Sequence, residues 1–185
     1  MNKKLKKEVI RWDINSWSRA LNFWETHINW NSHYKCLELG GREGGLSLWL
    51  ALKGNNVICS DLDHVNELAA PLHRSYQVDS LITYEDIDAT DIPYTDYFDV
   101  IVFKSILGGV GKDNRYDRQL LAFQQINRAL KPGGKLLFAE NLKASFIHQI
   151  LRKRFIRWGT SWRYISLSEM NALMSNFSSC KIKSA

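Results

Sequence analysis

The chain has 185 residues, 45% of them hydrophobic and 24% charged, with a formal net charge of +6, which suits one globular domain with a sizeable core rather than a disordered or fibrous chain. No apolar run reaches membrane-span length, and the basic opening MNKKLKKEVIRW is followed by no apolar core or cleavage site of a secretory signal. Three widely spaced cysteines (Cys36, Cys59 and Cys180) argue against a CxxC zinc pair or a disulfide framework, so no metal is expected and a cytoplasmic location is.

In chain order, Ile10, Ile14, Trp17, Leu21, Trp24 and Ile28 form one apolar stripe, which predicts a helix over 8–29 that packs on the rest of the fold. KCLELG reads as a strand ending in glycine. GLSLWLALKG is a helical run with Gly54 placed as its C-cap. NVICSDLD is a second strand ending in acids. HVNELAAPLHRSYQ is a helix that Pro71 should limit or kink, with Asp63 standing as its N-cap. LITYEDIDATDIPY holds a third strand and a polar loop. FDVIVFKSIL, nearly all apolar, is a fourth strand buried on both faces, with Asp99 read as a turn residue at its start. RYDRQLLAFQQINRAL is a helix stopped by a tight KPGG turn at 131–134, and KLLFAEN is a fifth strand. KASFIHQILRKRFIRW is another amphipathic helix. SLSEMNALMSNF is a short helix opened by a capping box from Ser166 to Glu169, and SSCKIKSA reads as a last strand.

Strands alternating with helices predict an α/β fold: a Rossmann-like, doubly wound, mostly parallel sheet with helices on both faces. In such sheets ligands bind at the carboxyl ends of the strands. The glycine-rich turn in CLELGGREGG is therefore the candidate site, and three ligands compete for it. A P-loop fails, because no lysine follows Gly45; in the later GGVGK, Ile106 stands where the first glycine belongs. A dinucleotide fits poorly, because Arg42 replaces the middle glycine of GxGxxG and Glu38 sets negative charge beside the pyrophosphate. S-adenosylmethionine has no phosphate, and its ammonium and sulfonium are attracted to a carboxylate such as Glu38. Asp61, 21 residues after Gly40, stands where an acid for ribose hydroxyls is expected.

Five segments (LELGGREGG, VICSDLD, EDIDATDIPY, FDVIVFKSIL and LKPGGKLLFAEN) resemble, in order and spacing, the class I S-adenosylmethionine-dependent methyltransferases over roughly residues 35–142. The resemblance implies an enzyme that uses S-adenosyl-L-methionine, built as one methyltransferase domain over 1–185. Its parts are an N-terminal helical addition (1–30), a cofactor-binding core (35–142) and a basic C-terminal part (143–185). By resemblance, Glu38, Gly40, Gly41 and Gly44 line the methionine side. Arg42, where many members carry glycine, either binds the methionine carboxylate or points to solvent. Asp61 with Leu62 would hold the ribose, Asp88 and Ala89 the adenine, and Lys104 and Ser105 would border both ligands. Glu38 has a second reading as the cap of the helix that begins near Gly44. The family's N-terminal helices often close over the cofactor, which would bring Trp12, Trp17 or Trp24 near the acceptor.

Methyl transfer is mainly an alignment problem, and a base is needed only when the nucleophile loses a proton. His64 and His148 are the candidates, neither assigned. The Asn/Asp-Pro-Pro-Tyr/Phe signature of base-methylating enzymes is absent, since its place reads FKSILGGVG. Glu140 and Asn141 echo part of a metal-dependent cluster without a partner acid. The expected acceptor is a small molecule or glycan, methylated at oxygen. Between Lys143 and Ala185 eight basic residues face one acid, Glu169, and the segment RKRFIRWGTSWRY would suit a charged or sugar-bearing acceptor. RNA methylation, and a binding protein that keeps the fold without catalysis, are the alternatives. The class I sheet usually has seven strands, and SSCKIKSA supplies only a sixth. The C-terminal strand pair is therefore expected to be incomplete, with a homodimer covering the open edge.

Overall fold

The computed structural model describes residues 1–143 and 161–183. The helix expected over 143–158 lies, apart from its first residue, outside the described residues, and His148 with it. Five parallel strands, β1 (Lys35–Leu39), β2 (Asn56–Asp61), β3 (Ile82–Asp86), β4 (Phe98–Lys104) and β5 (Leu130–Ala139), make one sheet in the order β3-β2-β1-β4-β5. The chain winds outward from β1 to β3, then returns to place β4 on the other side of β1. The strand order therefore reverses between β1 and β4, which opens a crevice at their carboxyl ends.

Alternation along β1 and β4 assigns the two faces. Cys36, Val100 and Val102 point into one apolar layer, which also holds Val9, Trp17, Trp24, Leu48 and Ala69. These come from α1 (Lys3–Ile10), α2 (Ile14–Glu25), α3 (Gly45–Ala51) and α4 (Val65–Ser75). Leu37, Leu39, Ile101 and Phe103 point into the other layer, against Phe123, Ile126 and Leu173. A four-residue α5 (Leu107–Val110) leads toward α6 (Tyr116–Ala129), and α7 (Leu167–Leu173) follows the undescribed stretch. Both faces of β1 and β4 are covered, and β4 accordingly reads as a nearly all-apolar run. No helix among the described residues is long and apolar enough to cross a membrane.

Several local expectations are corrected. The helix over 8–29 is two helices, broken at Arg11–Asp13, where Arg11 (φ 69°) and Asp13 (φ 44°) are left-handed. In a continuous helix the Ile10 carbonyl would accept from the Ile14 amide; instead it accepts from Lys104 Nζ at 2.5 Å. Helix α4 runs through Pro71, which lies on its exposed face, where solvent can satisfy the freed carbonyl. Asp63 is not the cap of α4. His64 holds that position without a side-chain bond, and the Val65 amide donates to Asp86 Oδ1 (3.3 Å) from β3. Asp99 lies inside β4, where it accepts from the Lys35 amide (2.8 Å) and Lys131 Nζ (2.6 Å). The KPGG segment is a bulge within β5: Phe98 pairs with Leu130 and Val100 with Lys135, so 131–134 loop out opposite Asp99. The Ser166–Glu169 capping box is present as expected.

Residues 178–183 form no strand, so the sheet ends at β5 among the described residues, one strand earlier than the sequence suggested. Ile182, the one large apolar residue of that segment, is 66% exposed, and little burial would reward pairing.

Candidate active site

The turn after β1 is built from close backbone approaches. Gly40 (φ 65°) and Gly44 (φ 72°) adopt conformations costly for other residues. At Gly44 a Cβ would overlap the His73 imidazole and lie 2.8 Å from the Ala69 Cβ. His73 braces the turn: Nε2 lies 2.8 Å from the Gly44 carbonyl oxygen and Nδ1 2.9 Å from the Tyr84 hydroxyl. A carbonyl only accepts, so Nε2 carries the proton and Nδ1 accepts from Tyr84. Burial lowers the pKa of His73 and favours that neutral form. Arg42 is left-handed as well (φ 50°); its side chain is exposed, and its amide donates to Asp61 Oδ2 at 2.8 Å.

Glu38, 3% exposed, turns its carboxylate under the turn and onto α3. Oε1 accepts from the Leu46 amide (3.2 Å), and Oε2 accepts from the Ser47 amide (2.7 Å) and hydroxyl (2.5 Å). It therefore caps α3, which Gly44 cannot do for want of a side chain. Burial raises its pKa to about 7, against the lowering effect of the Ser47 and Leu46 bonds and of the Lys104 charge. Asp61 ends β2 at the mouth of the crevice, tied to the turn by Arg42 and to the Leu62 amide at 2.8 Å, with the Leu62 side chain 67% exposed. Beyond β3, Asp88 Oδ1 accepts from the Thr90 amide and hydroxyl, both at 2.8 Å, and Oδ2 from Arg118 at 2.9 Å. Burial opposes its ionisation, but those bonds prevail and hold the carboxyl below the usual range. Ala89 beside it is buried.

Across the crevice, Lys104 ends β4. Its ammonium lies 4.7 Å from the Trp12 ring centroid and 5.6 Å from that of Trp17, besides its bond to Ile10. The Val9 carbonyl presses on Gly45, where a Cβ would collide with it, and Arg11 pairs with Glu43 in the glycine turn. The N-terminal segment is thereby fastened over the ends of β1 and β4. Ser105 follows in a left-handed conformation (φ 55°), its amide bonded to the Ala139 carbonyl at 2.9 Å. At the end of β5, Glu140 caps the first turn of α5 through the Leu107 amide (2.9 Å) and also accepts from the Asn141 amide (3.0 Å). Burial raises its pKa to about 7.

The fold thus gathers Glu38, Gly40, Gly41, Arg42, Gly44, Asp61 and Leu62 at one end of the crevice, with Lys104 and Ser105 facing them and Asp88 and Ala89 past the next strand. His64 is not among them; it is an exposed residue at the start of α4, 3.7 Å from Glu67. Sequence reasoning missed His73, Arg118 and the cap made by Glu140. Only His73 left a signal: it lies four residues after Ala69, on the apolar face of α4.

A parallel sheet with its switch point between β1 and β4, a glycine turn there and acids beyond successive strands define the class I methyltransferase architecture. Residues 37–138, more than half of the chain, match the family model described as a methyltransferase domain. The chain belongs to that family, within the S-adenosylmethionine-dependent class. The ubiquinone/menaquinone biosynthesis C-methyltransferase UbiE of Shewanella oneidensis is 32% identical over 124 residues, covering 64% of this chain and 46% of that protein. The protein of the same name from Shewanella sp. (strain W3-18-1) is 30% identical over 140 residues, covering 71% and 53%. The chain spans about half the length of these curated relatives. Among solved structures, the YcgJ protein of Bacillus subtilis superposes with a TM-score of 0.71 at 19% identity, over 85% of this chain and 67% of that one. A Haemonchus contortus phosphoethanolamine N-methyltransferase 2, in complex with phosphomonomethylethanolamine and S-adenosylhomocysteine, gives 0.64 at 23% identity, over 85% and 35%. At such identities the structural likeness speaks for the fold.

Proposed function

We propose that this chain methylates a small-molecule or glycan acceptor with S-adenosylmethionine, held by the residues gathered in the crevice. The observation that carries this reading is the tie between the glycine turn and Asp61: the Arg42 amide holds the carboxylate against the turn. The exposed backbone at Gly40 and the partly exposed Asp61 suit a nucleoside with a diol. Glu38 contributes from below, as a rigid cap and a source of negative potential. Asp88, oriented by Thr90 and Arg118, would take the adenine amino group, with Ala89 at the ring. The cofactor supplies a methyl carbon already activated by its sulfonium. The chain's part is to align it, and the fastened N-terminal segment keeps water out.

Oxygen is the acceptor atom of this reading. Carbon is the second, favoured by the name of the Shewanella relatives. The edge of β5, which pairs with no further strand among the described residues, suits a homodimer, which sedimentation would detect as a doubled mass. The functional test is labelled-methyl transfer onto fractionated cell extract, with Asp61→Ala as the control. Label is expected in a small-molecule or glycan fraction, and chemical degradation of the product then separates O-methyl from C-methyl. Label in RNA would support the nucleic-acid alternative instead. Absence of cofactor binding by calorimetry would favour a non-catalytic protein.

A further inference from the structure

Lys104 is a cation at the crevice end of β4, to which the function proposed above would bring another. It stands one residue past the Leu39–Phe103 pair of the β1–β4 ladder, level with Gly40. Its ammonium sits in a box made by the Ile10 carbonyl at 2.5 Å and the Trp12 and Trp17 indoles, 4.7 and 5.6 Å away. Indole faces and a carbonyl oxygen attract any compact cation, an onium group included. We propose that Lys104 and the sulfonium of S-adenosylmethionine compete for this box, so that Lys104 must lose its proton when the charged cofactor enters but not when S-adenosylhomocysteine does. The inference rests on the function proposed above. Its consequence is selectivity: protonated Lys104 favours the neutral-sulfur product over the charged substrate, and that preference fades as Lys104 deprotonates.

Charged groups face Lys104 from two sides: Glu38 from β1 and Asp13 from the break between α1 and α2. Arg11 and Glu43, close by, are paired with each other. Burial lowers the Lys104 pKa to about 8, although both acids oppose the shift. Glu38 also titrates near neutrality, and its ionisation favours the sulfonium too, so a variant is needed to separate the two groups.

The test is calorimetric binding of S-adenosylmethionine and S-adenosylhomocysteine between pH 7 and 9. Both carry the same amino and carboxyl groups, so their affinity ratio isolates the sulfonium charge. The ratio is expected to shift toward S-adenosylmethionine by about tenfold across that range, following the neutral fraction of a group with a pKa near 8. Lys104→Met should favour S-adenosylmethionine throughout and keep only the small dependence due to Glu38. Lys104→Arg, permanently charged, should disfavour it throughout. A wild-type ratio that stays flat from pH 7 to 9 overturns the inference, whether or not the variants fold. Failure of both ligands to bind would instead sink the proposed function on which it rests.

Discussion

Gly44 shows how much one missing methyl group determines. Its left-handed φ and the imidazole of His73 leave no place for a Cβ. Gly44→Ala is therefore expected to lose about 1–2 kcal/mol from backbone conformation alone, and more from the collision, in a urea unfolding series. Asp61 is the contrasting case. It is partly exposed and bonded only to backbone amides, so Asp61→Ala should unfold at nearly the wild-type urea midpoint. Calorimetry should nonetheless show S-adenosylmethionine binding weakened tenfold or more, the usual size of a lost charge-assisted hydrogen bond (about 1.5–3 kcal/mol). Equal cofactor affinity in the two proteins would remove Asp61 from the proposed site.

Among the elements, α4 separates local from tertiary capping. Its first amide is served by Asp86 from a neighbouring strand rather than by the adjacent Asp63. Asp86→Ala should destabilise the protein by about 1 kcal/mol, whereas Asp63→Ala should stay within about 0.5 kcal/mol, both measured by thermal unfolding. The reverse order would mean that the local residue makes the cap in solution. The paired helices α1 and α2 carry the same lesson. Their apolar stripe is continuous, yet the ladder breaks at Arg11–Asp13, and the half-buried ammonium of Lys104 on β4 takes the Ile10 carbonyl that a continuous helix would have used.

For the molecule as a whole, the buried Glu38 and the half-buried Glu140 set the expected response to pH. Glu38 and Glu140 both have pKa values raised to about 7 by burial. The folded state thus holds their protons to higher pH than the unfolded chain does. The stability their protonated forms contribute is fully present below the ordinary glutamate value of 4.5 and declines as pH rises toward 7. His73 works in the opposite sense: its pKa is lowered, so its part of the stability grows as pH rises toward 6.5. Asp88, Asp99 and Glu169, with lowered values, are ionised throughout and drop out of the comparison. In Glu140→Gln, which cannot ionise, the fall in melting temperature between pH 5 and 8 should be clearly smaller than in wild type. Parallel curves for the two proteins would show that Glu140 does not titrate in that range.

The sequence by itself determined the alternation of strands and helices, the parallel sheet and the acids beyond its strands, because each depends on residue type and short spacing. Burial on both faces made β4 legible as an apolar run, and Ser166 with Glu169 announced a cap that needs only its own turn of helix. The tertiary structure alone decided where side chains went when several local roles were open. It turned Glu38 onto α3, drew Asp99 into β4, and made the KPGG segment a bulge instead of a turn between elements. It also left 178–183 outside the sheet and joined Lys104 to a carbonyl 94 residues earlier in the chain. Those outcomes follow from burial and from the need of each buried polar group for a partner. Residues far apart in the chain meet that need, and no local spacing records which of them will be adjacent.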